Sequence, residues 1–232
     1  MSTIWCTADA MPEVVFFDLD GTLADTAPDL GYALNRLRAD LDLNPIPPET
    51  LRAHTSSGVR GLLAIGLGIG RDAPEYREMA DQFLAYYEQR LFVPARLFPG
   101  IPELLDVLEA RGIPWGIVTN KPKRYTELLL SKTPRLQSAT CAVSGDSAAR
   151  PKPHPDPLLM AAQLAQASSE RCVYVGDDLR DVQAGRAAGM MTVAAAYGYL
   201  GTEFRVEDWE ADHVIQAPLD LLGILAPGSR CA

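Results

Sequence analysis

Short unbroken apolar runs alternate along the chain with stretches whose apolar residues recur every three or four positions. Residues 13–17, EVVFF, run apolar without interruption, the pattern of a strand covered on both faces. Comparable runs are IPWGIVT closing at Thr119, TCAV at 140–143, RCVYVG closing at Gly176, MMTVAAA at 190–196 and HVI at 213–215. Helical patterns fall between most of them. Pro102 opens one through Leu104, Leu105 and Leu108 that stops at Gly112, with proline at the start and glycine at the end as helices prefer. DPLLMAAQLAQA and LRDVQAGRAAG supply two more. Alternating strands and helices with short links predict an α/β fold, a Rossmann-like three-layer α/β/α core around a parallel sheet.

The stretch from Pro28 to Arg90 breaks this rhythm. Leu30, Ala33, Leu34, Leu37 and Leu41 recur at helical offsets after Pro28, and Tyr76, Met79, Ala80, Phe83 and Tyr87 do so after Pro74. Between them lies the small-residue segment TSSGVRGLLAIGLGIG. The pattern predicts an all-helical insertion over residues 25–94, directly after the first strand. It divides a core made of 12–24 and 95–228, with 1–11 as an N-terminal tail. The insertion joins the core only near Leu23–Ala27 and Pro94–Pro99, two short connections suited to hinge closure. The tyrosine and methionine face of its 74–90 helix is expected to form the insertion's own interior.

Composition narrows the choice of partner. The 232 residues are 47% hydrophobic and 22% charged, as in ordinary soluble domains, and no apolar run reaches the roughly 18 residues of a membrane span. The start, MSTIWCTADAMPEVV, lacks the pattern of a secretory signal. A formal charge of −9 disfavours nucleic acid but tolerates a small anion held by a metal and local cations. Cys6, Cys141, Cys172 and Cys231 are scattered without a CxxC pair, which reads as reduced thiols in a cytoplasmic protein, Cys172 within a strand. A monomer or homodimer with no membrane or nucleic-acid partner is expected.

The chemistry gathers at strand ends. VVFFDLDGTLADT sends two aspartates, Asp18 and Asp20, out of a buried strand, followed by Gly21. The later strands end in TNK and GDDLRD, and RPKPHPDP follows the third. In a parallel sheet with right-handed crossovers these ends lie along one edge, where α/β proteins bind ligands. Asp18, Asp20, Thr119, Lys152 and Asp177 are therefore expected to converge. Converging carboxylates call for a hard divalent cation, Mg²⁺, rather than zinc, since no His or Cys cluster exists. Asp18 suits a nucleophile, Asp20 a general acid and base, and Gly21 a tight turn that approaches an anion closely.

FFDLDGTLADT, VTNK, RPKPHPDP and VYVGDDLRDVQAGRAAG, in this order, resemble the haloacid-dehalogenase superfamily, specifically its phosphoglycolate-phosphatase-like members. The resemblance implies a phosphatase with Asp18 as the phosphorylated nucleophile and Asp20 as acid and base. It implies Thr119, with Asn120, on the phosphoryl group and Lys152 balancing charge. It also implies Mg²⁺ held by the Asp18 carboxylate, the Asp20 main-chain carbonyl and an acid of GDDLRD. Asp177 matches that ligand position, while Asp181 and Asp178 suit water-mediated or supporting roles. The helical insertion corresponds to the superfamily's cap, and an acid at Asp20 favours phosphoryl transfer over dehalogenation.

The substrate depends on the cap, where HTSSGVRG offers Ser57, Gly58 and Arg60. Arg60 either clamps a substrate carboxylate in bidentate fashion or is a surface arginine, and Lys121 is likewise evenly balanced between substrate contact and surface charge. A small carboxylate-bearing phosphate ester fits, either 2-phosphoglycolate or N-acetylmuramic acid 6-phosphate; the C-terminal motifs lie closer to the phosphatases of the second. A sugar phosphomutase and a non-catalytic protein of the same fold are the alternatives. His154 and His213 read as loop and strand residues, His54 as facing away from the site, and YGYLG at 197–201 as either a turn or part of the site's rim.

Overall fold

The computed structural model describes residues 11–93, 96–201 and 204–226; the tail assigned to 1–11 lies outside them except for Met11. Its main sheet has six strands, β1 (Val14–Phe17), β4 (Trp115–Val118), β5 (Ala142–Val143), β6 (Cys172–Gly176), β7 (Met191–Ala195) and β8 (His213–Ile215), in the order β5-β4-β1-β6-β7-β8. Every pairing is parallel. From β1 the chain moves outward through β4 and β5, then returns to β6 on the other side. The crevice between β1 and β6 is thus the switch point, where ligands of such sheets bind.

The central strand shows why an unbroken apolar run was needed. Val15 and Phe17 pack into one hydrophobic cluster, Val14 and Phe16 into another on the opposite face, because successive side chains of a strand alternate. Helices α5 (Ile101–Ala110), α6 (Lys123–Lys132), α7 (Asp156–Leu164), α8 (Leu179–Ala187) and the short α9 (Leu221–Ile224) accompany the sheet. The third strand is shorter than TCAV suggested, since only Ala142 and Val143 pair with β4. The α6 helix was not anticipated, although Pro122 followed by Tyr125, Thr126 and Leu129, all three buried, carries the helical spacing.

Beyond Asp25, the regular elements among the described residues of the inserted segment are all helical: α1 (Ala27–Asp40), α2 (Pro48–Arg52), α3 (Gly58–Leu67) and α4 (Tyr76–Arg90), with a single turn at Thr55–Ser57. Leu30, Ala33, Leu34 and Leu37 are buried as their spacing requires. Leu41 is 44% exposed because α1 ends at Asp40, one residue short of it. The insertion's interior and one face of the sheet form a continuous apolar cluster. A two-stranded antiparallel ribbon, β2 (Ala24–Asp25) with β3 (Arg96–Leu97), ties its entry to its exit. Sequence alone gave no sign of this ribbon, whose strands are two residues long, and a boundary at 24/25 falls inside it.

Candidate active site

A cavity of about 310 Å³ opens at the β1–β6 switch point, between the sheet edge and the inserted helices. Asp18 follows β1 directly, its N–H continuing the ladder to the Val175 carbonyl at 2.8 Å; Thr119 does the same after β4, onto Val143 at 2.9 Å. One carboxylate oxygen each from Asp18, Asp177 and Asp181 lies within 4.8 Å of the others. Lys152 Nζ stands 3.0 Å from Asp18 Oδ1 and 2.6 Å from Asp181 Oδ1. It also donates to the Tyr174 hydroxyl at 2.7 Å and the Val118 carbonyl at 3.1 Å. With its side chain almost wholly buried, Lys152 is a fixed internal cation.

Asp177 is gripped on all sides. Thr22 Oγ1 donates to its Oδ1 at 2.8 Å and the Tyr199 N–H to its Oδ2 at 2.9 Å. A Cβ on Gly21, whose φ is +90°, would lie 2.1 Å from Asp177 Oδ2; one on Gly198 would lie 2.2 Å from Asp177 Cβ. Only glycine admits such closeness, so the anion that Gly21 approaches is the protein's own carboxylate. Asp181 is more fully engaged. Its Oδ1 accepts from Lys152 and Tyr174, and its Oδ2 accepts the Asp178 N–H at 3.0 Å in a capping box that starts α8.

Burial, reinforced by Asp18 and Asp181, pushes the Asp177 carboxyl well above the usual carboxylate range. Burial likewise raises Asp181 to about 6, against the pull of Lys152. Burial opposes the charge of Lys152 too, but Asp18 and Asp181 outweigh it and hold the ammonium protonated. The cavity lining carries five aspartates (Asp18, Asp20, Asp177, Asp178, Asp181) against Lys121, Lys152 and Arg180. With all five ionised the surplus is two negative charges, which, in an all-oxygen donor set, suits one divalent cation. The same cation would relieve the repulsion that raises Asp177 and Asp181. Asp18 Oδ1, buried and without a well-directed hydrogen bond despite the nearby ammonium, leaves a lone pair for it. The residues present therefore fit Mg²⁺.

Around this centre the expected residues divide. Asp20 lines the cavity, its Oδ1 accepting from Thr26 Oγ1 at 2.5 Å. Thr119, Asn120, Ser57, Gly58 and Asp178 also line it. The Asn120 amide, however, is committed to the Lys152 main chain by two 3.0 Å hydrogen bonds, which fix that loop to the end of β4. Arg60, on α3, is exposed and is not among the residues that line the cavity, whereas Ser57 and Gly58 are. His54 stays outside as well.

Two other cations face the cavity in its place. Lys121 donates to both Asp20 oxygens, at 2.9 and 3.0 Å, with its ammonium 4.9 Å from the centroid of the Tyr87 ring. Burial disfavours its charge, yet Asp20 and Tyr87 keep its pKa raised. Tyr87 thus contributes to the site as well as to the interior of the insertion. Arg180 forks onto Asp178, Nε to Oδ1 at 2.7 Å and Nη2 to Oδ2 at 2.8 Å, overcoming the effect of burial and holding that carboxyl low. Sequence reasoning passed over Arg180, Tyr174, Thr22 and Tyr199. Arg180 stood within GDDLRD, one helical turn past the strand end, and Tyr199 within YGYLG; their positions were visible but their partners were not.

Tyr199 also reaches the ribbon. Its hydroxyl accepts the Thr26 and Ala27 amides at 2.8 and 2.9 Å and donates to Asp25 Oδ1 at 3.0 Å. It therefore caps α1, which has no side-chain cap of its own. Arg52 lies over its ring, 5.0 Å from the centroid, and donates to both Asp25 oxygens at 2.8 Å.

Residues 15–195 match the family model for haloacid dehalogenase-like hydrolases. An N-acetylmuramic acid 6-phosphate phosphatase of Pseudomonas aeruginosa is 38% identical, over 92% of this chain and 94% of its own. A phosphoglycolate phosphatase of Xanthomonas campestris is 41% identical, over 90% and 95%. The crystal structure of a predicted phosphoglycolate phosphatase from Haemophilus somnus superposes with a TM-score of 0.83 at 25% identity, covering 94% of this chain and 99% of that one. Matched from its first strand to its fifth core strand, and over nine-tenths or more of its length against these relatives, the chain belongs to the haloacid dehalogenase-like hydrolase family.

Proposed function

We propose that this phosphatase hydrolyses a small carboxylate-bearing phosphate monoester, 2-phosphoglycolate or N-acetylmuramic acid 6-phosphate, through an aspartyl phosphate on Asp18. The observation that carries the reading is the cluster of Asp18, Asp177 and Asp181 oxygens within 4.8 Å, with Lys152 3.0 Å from Asp18. The names of the relatives supply the two esters.

Asp18 Oδ attacks phosphorus in line, and the bond to the leaving oxygen breaks as Asp20 gives that oxygen a proton. Water then attacks the phosphorus of the aspartyl phosphate. Asp20 takes the water's proton, and the bond from phosphorus to Asp18 breaks to release inorganic phosphate. Thr119, whose hydroxyl accepts the Lys121 N–H at 3.2 Å, keeps its own hydrogen for a phosphoryl oxygen. Lys152 holds Asp18 and Asp181 in position. The Asp18 and Asp177 carboxylates and the Asp20 main-chain carbonyl would hold Mg²⁺, which would supply neutralisation of the phosphoryl charge. Asp177 suits direct ligation better than Asp181 because fewer donors occupy its oxygens.

For the carboxylate, Lys121 replaces Arg60 as the recognising cation. It contacts the carboxyl that protonates the leaving oxygen, so a carboxylate a few bonds from that oxygen comes within its reach. Phosphate release with Mg²⁺ from both esters, beside p-nitrophenyl phosphate as a generic ester, is the test. The two carboxylate esters are expected to be preferred, and Lys121→Met to cost them about ten- to a hundredfold in kcat/KM. Release from none of the three sinks the phosphatase reading; equal loss on all three in the variant removes Lys121 from carboxylate recognition.

A further inference from the structure

Arg180 belongs to α8 of the core, yet its guanidinium reaches out of the core. Beyond the fork onto Asp178, its Nη2 donates to the Ser56 carbonyl at 2.5 Å. Ser56 lies in the turn ahead of α3; Ser56 and Ser57 of that turn, with Gly58 and Val59 at the start of α3, line the same cavity as Asp18 and Asp20. The fork fixes the plane and direction of the guanidinium, which is what the second, longer-range bond requires. Asp178 in turn caps α8 together with Asp181, and Asp181 carries Lys152. A continuous set of polar contacts therefore runs from the wall of the insertion to the nucleophile, and Arg180 is its only charged member that crosses between the two among the contacts described at this turn.

We propose that Arg180 is the positioning residue that seats the Ser56–Val59 wall over the site, so that the size of leaving group accepted depends on it. The proposal rests on the phosphatase reading of the same cavity. A main-chain acceptor makes the contact independent of the side chain at 56, and Ser57, although it lines the cavity, makes no comparable bond to the described residues of the core. A leaving group large enough to press on this wall is held by it; a compact or flat one reacts with the wall displaced.

The test uses the full chain with Arg180→Met, which keeps length but not donors, and Arg180→Lys, which keeps a cation for Asp178 but not the fork. Amide hydrogen exchange is followed with Mg²⁺ and orthophosphate added, so no turnover is needed. Amides at 55–59 are expected to exchange about tenfold faster or more in Arg180→Met, while those of 179–187 stay protected. In kinetics, the KM for N-acetylmuramic acid 6-phosphate should rise about ten- to a hundredfold, with a smaller change in kcat. Arg180→Lys should show the same exchange at 55–59, and it answers the question if the Met variant does not fold. Wild-type protection at 55–59 in both variants overturns the proposal. Equal opening of 55–59 and 179–187 does so too, because Arg180 would then merely support α8. A wild-type protein that hydrolyses no ester defeats the functional reading yet leaves the exchange result to decide this one.

Discussion

The two sides of the cavity are built by different means. On the sheet side, Asp18, Thr119 and Asp177 each stand one residue past a strand end, while Asp20 and Lys152 follow on loops, and hydrogen-bond ladders and buried partners fix them. On the inserted side, beyond the shared apolar cluster, long side chains make polar attachments: Arg180 to the Ser56 carbonyl, Arg124 to Glu88 at 2.7 Å, and Lys132 to the Leu91 carbonyl at 2.9 Å. Short connections into a ladder leave a side chain little choice of position, as the N–H bonds of Asp18 and Thr119 show. Long side chains reaching between segments define it less tightly, because each has more rotamer freedom to lose. The sheet side is therefore suited to chemistry common to many esters, and the inserted side to choosing among them.

Substitutions on the two sides should differ accordingly. Asp18→Asn should lower turnover by about 10⁴-fold or more and abolish acid-stable phosphoenzyme, with the fold intact; an active, phosphorylated variant would refute the assignment, once reversion of the amide is excluded. Glycines offer a matched pair. Gly58 has a φ of +60° with open space where a Cβ would go, so Gly58→Ala should cost roughly 1–3 kcal/mol of strain. Gly21→Ala adds the displacement of Asp177, so its denaturation midpoint should fall further and Mg²⁺ should no longer raise it. Equal midpoints for the two variants would erase the distinction.

The acids predict a pH effect of known sign. Without metal, Asp177 and Asp181 hold protons more readily folded than unfolded. Their contribution to stability is full at acid pH and is lost as pH rises through the folded values, about 6 for Asp181. For Asp181 that loss is on the order of 2–3 kcal/mol. Mg²⁺ relieves the repulsion but competes with protons, so its gain in Tm should be larger at pH 8 than at pH 5. An equal gain at both places the metal elsewhere. The smallest effect belongs to Arg60→Ala: with its side chain outside the cavity, kcat/KM should stay within about twofold for either carboxylate ester, and a tenfold loss would restore it to the site.

The same contrast explains what could be read from sequence. Strand ends were legible because apolar runs must finish where burial finishes, and Asp18, Thr119 and Asp177 stand immediately past those points. Lys152 was legible from the motif around it, not from periodicity. On the inserted side, the helices could be read from their spacing but their facing could not. Arg60 and Arg180 are both arginines one turn beyond a polar loop, and only the packing of α3 and α8 decides which reaches the cavity. The β2–β3 ribbon and the second role of Tyr87 were hidden for the same reason. Each depends on a contact between segments distant in sequence.

Tyr199 bears on how far the two parts could be treated as interchangeable modules. The graft boundary for a foreign cap would naturally be drawn through the two linkers, since only there is the chain continuous. Yet the core itself supplies the hydroxyl that receives the first two amides of the incoming helix, and the same residue's N–H steadies Asp177. A transplanted cap would have to present its own helix start, and counterparts of Asp25 and Arg52, to that one phenol. The splice is therefore three-dimensional: a chimera joined correctly in sequence but mismatched at Tyr199 would disturb the acid cluster from a position that contributes no ligand to it.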